Sequence, residues 1–252
     1  MATIQKNPIM GSSQASVNQM IAFVQRVNPN FNPAIARAFL PIGARYGVRG
    51  DVAFCQSIHE TNWFRYGGDV RADQNNFAGI GATGGVPGNQ FPSIEAGVTA
   101  QIQHLFAYAT TSPLPQGEAL VDPRFNLVQR GSAPYWEDLA GKWAVPGYDR
   151  NRFSSLQQAL EAGESYGQQI MSLFRSLLQT TAPVAPAPEP TPAPTPAPGG
   201  YPPNTALWKQ EAVDWMYEQG LLTDSSWKQR IEEPLPLWAE AVVLRRMMER
   251  LS

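Results

Sequence analysis

Three kinds of reactive side chain fall within six residues of the stretch CQSIHETNWF: the thiol of Cys55, the imidazole of His59 and the carboxyl of Glu60. Cys55 and His59 stand four apart, so on a helix they share a face. A nucleophilic cysteine needs an exposed, electropositive setting. Cys55 lies instead in an apolar run and reads as a small core residue. His59-Glu60 opens like a zinc-protease helix, but the second histidine of such a motif belongs four residues after the first, where Trp63 stands. The chain has two histidines and one cysteine, which makes no ligand set, so no metal and no cofactor is expected. Glu60 remains. It ends an apolar stretch and is followed by Thr61, Asn62, Trp63 and Phe64. A carboxyl among aromatics is partly desolvated, and burial disfavours its charged form. A general acid needs just that: a proton held near neutral pH for a leaving oxygen. The plain alternative is a solvated glutamate at a helix end.

The elements that must position Glu60 are mostly helical. Val17, Met20, Ile21, Val24 and Val27 repeat at helical spacing. AIARAFLPIGARYG continues the pattern, with Pro41 expected to break it. Asp51 is placed to cap the helix VAFCQSIHE. The glycine-rich stretch 75–91 reads as a loop with one short hairpin. Ser93 should cap a helix to about Tyr108, short helices should follow, and a long helix is expected over about Phe153 to Leu178. No Gly-rich phosphate loop with a lysine occurs, and no Gly-x-Ser-x-Gly elbow.

Nineteen Lys and Arg face 21 Asp and Glu, a net charge of −2, with no basic stripe. Nucleic acid is therefore not an expected partner. No apolar run approaches the ~20 residues that span a bilayer. The N-terminal MATIQKNPIMGSSQASVNQM lacks an apolar signal core, so synthesis in the cytoplasm and action after release or lysis are expected. A single cysteine permits no internal disulfide. Ten of 23 prolines fall in residues 180–203, which reads as a stiff polyproline spacer. It divides residues 1–179 from a small helical module, 204–252. That module holds four of seven tryptophans and eight acids against six bases. Most of its tryptophans should be core, with one or two left to stack on sugars. Gly220 looks like a helix stop, and Trp238, Val242, Arg245 and Met248 mark a stripe on a last helix.

In order along the chain stand Gln56 and Glu60-Thr61, then Asn76, Phe77, Gly79 and Ile80, then a hairpin, then Phe91 and Ser93 before a helix. This succession, over about residues 35–178, resembles glycoside hydrolase family 73, the glucosaminidases of the lysozyme-like superfamily. The resemblance implies a mainly α, α+β lysozyme-like fold with two lobes and a groove for peptidoglycan glycan strands. It also implies Glu60 as general acid and cleavage after N-acetylglucosamine. Asn76 and Phe77 become substrate-binding candidates, and Trp143, Tyr148 and Tyr166 candidate groove walls. The family commonly carries a second acid in its hairpin, where this chain has none. Glu95 follows soon after, but in a helix's first turn, where a negative charge also has a structural use. A lytic transglycosylase, or a wall-binding protein on a lysozyme-like scaffold, stays open beside the hydrolase. A monomer is expected. The last module, with its EQGLL and Arg-Arg helix, resembles S-layer-homology-type modules and suggests wall targeting.

Overall fold

The computed structural model describes residues 4–181, 201–202 and 204–251. It divides into two compact units, residues 1–186 and 187–252. Most of the proline-rich spacer, 182–200 and 203, lies outside the described residues.

The first unit is mainly helical. Helix α1 (Val17–Gln25) starts at Ser16, whose hydroxyl accepts from Gln19 N–H while the Gln19 side chain returns a bond to Ser16. Helix α2 (Pro33–Tyr46) starts at Asn32, with Pro33 preset for the first turn. Contrary to expectation, α2 runs straight through Pro41. Pro41 and Arg37, the residue whose carbonyl loses its partner, both face solvent, where water satisfies the orphan. Buried Ile35, Phe39, Ile42 and Tyr46 anchor the helix on both sides of the proline.

Helix α3 (Gly50–Glu60) is buried on all sides from Gly50 to Ile58, which makes it the central rod of the unit. Its N-cap is Arg49, not Asp51. Asp51 sits inside the first turn, fully buried, and accepts from the backbone N–H groups of Gln14 (2.6 Å), Ala15 (3.1 Å) and Val52 (2.9 Å). It thus ties the N-terminal segment to α3 rather than opening the helix.

Strands β1 (Ala82–Thr83) and β2 (Val86–Pro87) form the expected antiparallel hairpin. Helix α4 (Ile94–Ala109) is capped by the Ser93 hydroxyl, which accepts from Ala96 N–H at 3.1 Å. It is buried from Gly97 to Ala107. The polar residues on it are satisfied: Gln103 donates to Tyr46 Oη and Ala119 O and accepts from Val121 and Asp122 N–H.

The single long helix expected after Phe153 is two: α5 (Leu156–Ala162) and α6 (Tyr166–Leu178). Gly163 stops α5 at φ +77°, a conformation that costs glycine nothing, and Ser165 with Gln168 restarts the chain as a capping box. Thr180 is buried and its carbonyl accepts from Gln19 at 3.2 Å, so it belongs to the first unit and not to the spacer.

The second unit pairs α7 (Leu207–Glu218) with α8 (Leu237–Leu251) over a small core of Leu221, Leu222, Trp227 and Val243. Gly220 does end α7, at φ +60°. Tyr201 belongs here as well, donating to Asp214 at 2.5 Å. The expectation that most tryptophans are core fails. Trp227 is buried, whereas Trp208, Trp215 and Trp238 are 67%, 53% and 67% exposed. The stripe of Trp238, Val242 and Met248 faces outward, and α8 packs through Ala239 and Val243 instead. A core this small has room for one indole. No helix among the described residues is long and apolar enough to cross a membrane.

Candidate active site

Glu60 is the last residue of the buried rod α3, so its backbone is fixed while its side chain emerges into a cleft of about 610 Å³. The chain then turns abruptly. Thr61 accepts from Phe64 N–H through its hydroxyl, and Asn62, Trp63 and Phe64 follow at φ +50°, +61° and +56°. Three successive bulky or polar residues in the left-handed region cost roughly 1–2 kcal/mol each. Such strain persists only where the surroundings over-determine it. Here the Phe64 ring packs on Phe31 (4.7 Å) and Phe54 (5.4 Å), and the Asn28 amide donates to the carbonyls of Trp63 and Phe64.

Tyr166 opens α6 and donates its hydroxyl to Glu60 Oε1. The same hydroxyl accepts from Gln56 Nε2 at 2.9 Å, one turn before Glu60 on α3. Gln56 Oε1 in turn accepts from Gln101 Nε2 at 2.9 Å, which also donates to Ala53 O, while Gln101 Oε1 accepts from Ser57 Oγ at 2.8 Å. Gln56, Ser57 and Gln101 are all fully buried. The network locks α3, α4 and α6 together just behind the acid.

Burial pushes the Glu60 carboxyl above the usual carboxylate range, while hydrogen bonds from Tyr166 and the Trp143 indole pull the other way without cancelling it. Burial also drives the Tyr166 phenol well above its ordinary value, followed by the charge of Glu60, so Tyr166 stays a proton donor in its hydrogen bond. Trp143 is braced edge-on by the His104 ring at 4.7 Å, and His104 Nδ1 is held by Asp122 at 2.7 Å. Across the acid, Gly79 has φ +64°, and a Cβ there would stand 3.6 Å from Glu60 Oε2. Glycine is therefore required for its backbone and leaves the acid uncrowded.

Glu60, Trp143 and Tyr166 line one cleft. Asn76 and Phe77 do not reach it. The Asn76 amide is spent on Ile80 and Asn89, and Phe77 is 1% exposed in the core against Phe64. They shape the loop that presents Gly79. Tyr148 is half-buried outside the cleft lining, on a segment held by the Gly147 carbonyl to Tyr166 N–H. Glu95 is exposed and lines a different hollow with Arg37 and Arg45, because the first turn of α4 points it there. Cys55 is wholly buried, with burial driving its thiol well above the ordinary value, which leaves it inert. Among the described residues no cluster of three or more His, Cys, Asp or Glu could hold a metal. Two features escaped the sequence: Gln101, one polar residue among several on a buried helix, and Asp69, which lines the cleft from the loop before the hairpin.

Glu60, whose hold on its proton is strengthened by burial, stands in an open polar cleft on a helical scaffold, a setting that suits cleavage of a glycosidic bond. Residues 36–179 match the glucosaminidase family, described as mannosyl-glycoprotein endo-beta-N-acetylglucosaminidase, and the chain belongs to that family. A protein of Borreliella burgdorferi, described as uncharacterized, is 35% identical over 159 residues, covering 61% of this chain and 77% of its own. No solved structure matches the chain. The family match ends at residue 179 and leaves the second unit outside it.

Proposed function

We propose that the chain cuts the glycan strand of peptidoglycan by hydrolysis on the reducing side of N-acetylglucosamine, with Glu60 as general acid. The observation that carries this is the environment of Glu60, whose hold on its proton is strengthened by burial and whose carboxyl is held at the cleft by the Tyr166 hydroxyl. The glycan lies along the cleft with its scissile oxygen against Glu60. As the bond between C1 and that oxygen lengthens, the oxygen takes the Glu60 proton and leaves as a neutral hydroxyl. The carboxylate left behind is stabilised by the donor already in place, the Tyr166 hydroxyl. Trp143 offers a flat apolar wall for a sugar face.

The second unit suits a wall-docking role. Trp208 and Trp215 lie seven residues apart on α7, hence on one face, and both are exposed. Exposed indoles of this kind stack on carbohydrate rings. Mass spectrometry of digested peptidoglycan tests the proposal. Reducing N-acetylglucosamine ends are expected. Ends bearing 1,6-anhydro-muramic acid indicate a lytic transglycosylase instead, and an undigested wall indicates a binding protein.

A further inference from the structure

Hydrolysis by direct attack of water on the anomeric carbon calls for a second group to activate that water, and the hairpin of this chain carries no carboxylate between Ala82 and Pro87. Of the residues that line the cleft, Glu60 and Asp69 are the ones with carboxyl groups. Asp69 stands on the loop Gly67–Val70, exposed to solvent. Its Oδ2 accepts from Gly85 N–H at 3.1 Å, in the turn joining β1 to β2. The loop is thereby tied to the hairpin whose Ala82 also lines the cleft. The neighbouring Gly67 and Gly68 have open space where a Cβ would be, so a sugar can lie against bare backbone beside Asp69. The two carboxyls thus occupy different settings: Glu60 half-buried and hydrogen-bonded by Tyr166, Asp69 exposed and oriented by one backbone donor. Paired groups whose environments differ in this way divide acid and base roles.

We propose that Asp69 is the general base of the hydrolysis, resting on the reading of the cleft as a glucosaminidase site. Water enters beside Asp69, and its oxygen bonds to the anomeric carbon as the bond from that carbon to the leaving oxygen breaks. The leaving oxygen takes the Glu60 proton, and Asp69 takes one proton from the water. One water is consumed, and solvent returns the proton from Asp69 to Glu60. Because water and leaving group occupy opposite faces of the ring, the β-linked sugar is released as its α-anomer.

The test is Asp69→Asn in the full chain. Asparagine keeps an acceptor for Gly85 N–H and removes the base. Turnover should fall by ~10²-fold or more. Sodium azide, a nucleophile that needs no base, should restore turnover and yield the α-glycosyl azide, and it should not do so in Glu60→Gln. Asp73→Asn, exposed and outside the cleft lining, should match the wild type. Proton NMR of the first wild-type product should show the α-anomer. A competent wild type whose Asp69→Asn keeps its rate, or whose first product is the β-anomer, overturns the assignment of Asp69. A wild type that releases no N-acetylglucosamine ends overturns the glucosaminidase reading itself, a separate and recognisable result.

Discussion

The Tyr166 hydroxyl links Glu60 to Gln56: it donates to the first and accepts from the second at 2.9 Å, although 106 residues separate Tyr166 from the acid in sequence. Removing that hydroxyl therefore has two effects of known sign. The bond lowers the Glu60 pKa, so Tyr166→Phe should raise it and move the alkaline limb of the rate profile to higher pH. It also leaves a buried amide N–H on Gln56 unpaired, at a cost of about 1–3 kcal/mol. A pH–rate profile together with thermal melts separates the two.

Glu60→Gln keeps the shape and removes the donatable proton. Activity should drop by ~10²-fold or more, as for loss of a general acid. Stability should respond in the other direction. The folded-state pKa of Glu60 is raised, so its contribution is favourable at low pH and is lost as pH rises from the ordinary carboxylate value through the raised one. The neutral amide escapes that loss. Its melting temperature relative to wild type should hold or rise between acid and neutral pH. A variant that melts well below wild type at neutral pH contradicts the burial argument.

Gln101 makes three side-chain hydrogen bonds inside the unit, and none to the cleft. Gln101→Leu should cost about 1–3 kcal/mol for each buried partner left unpaired. Urea titration gives the stability. Activity per folded molecule should also fall, because Gln56 loses its orientation toward Tyr166.

Chelation should leave activity intact, since the described residues assemble no ligand set. Loss of wall lysis in EDTA, restored by zinc, would return His59 to consideration.

Residues 1–186 should fold and cut without the second unit, because every cleft residue and the whole family match lie within them. If the second unit docks on the wall, its removal lowers retention on sedimented walls and leaves turnover of short soluble glycans unchanged. Equal loss on both substrates argues against two separable units.

The place of Glu60 at a helix end and the order of elements around it were legible because each is a local pattern. Glu60 closes an apolar helix, Ser93 caps the next, and glycines mark the hairpin. What was not legible depends on contacts distant in sequence. Asn76 and Phe77 sit in a motif yet spend themselves on Ile80, Asn89 and Phe64. Asp69 gains meaning only when the loop before the hairpin folds onto its turn. Pro41 was misread because a single broken bond on a solvent-facing surface weighs less than the buried residues on either side. The tryptophans of the second unit were misread because composition gives no hint of how few a small core can enclose.

The left-handed run Asn62–Phe64 has a consequence in time as well as in space. Local preference opposes it, so the short peptide after Glu60 has no reason to adopt it while the chain is still emerging and unpacked. It forms when Phe31, Phe54 and Phe64 come together, and only then is Glu60 held in register with Tyr166. On the role proposed for Glu60, a nascent or partly folded copy is accordingly unarmed. Amide exchange at Phe64 should therefore be as slow as at the centre of α3.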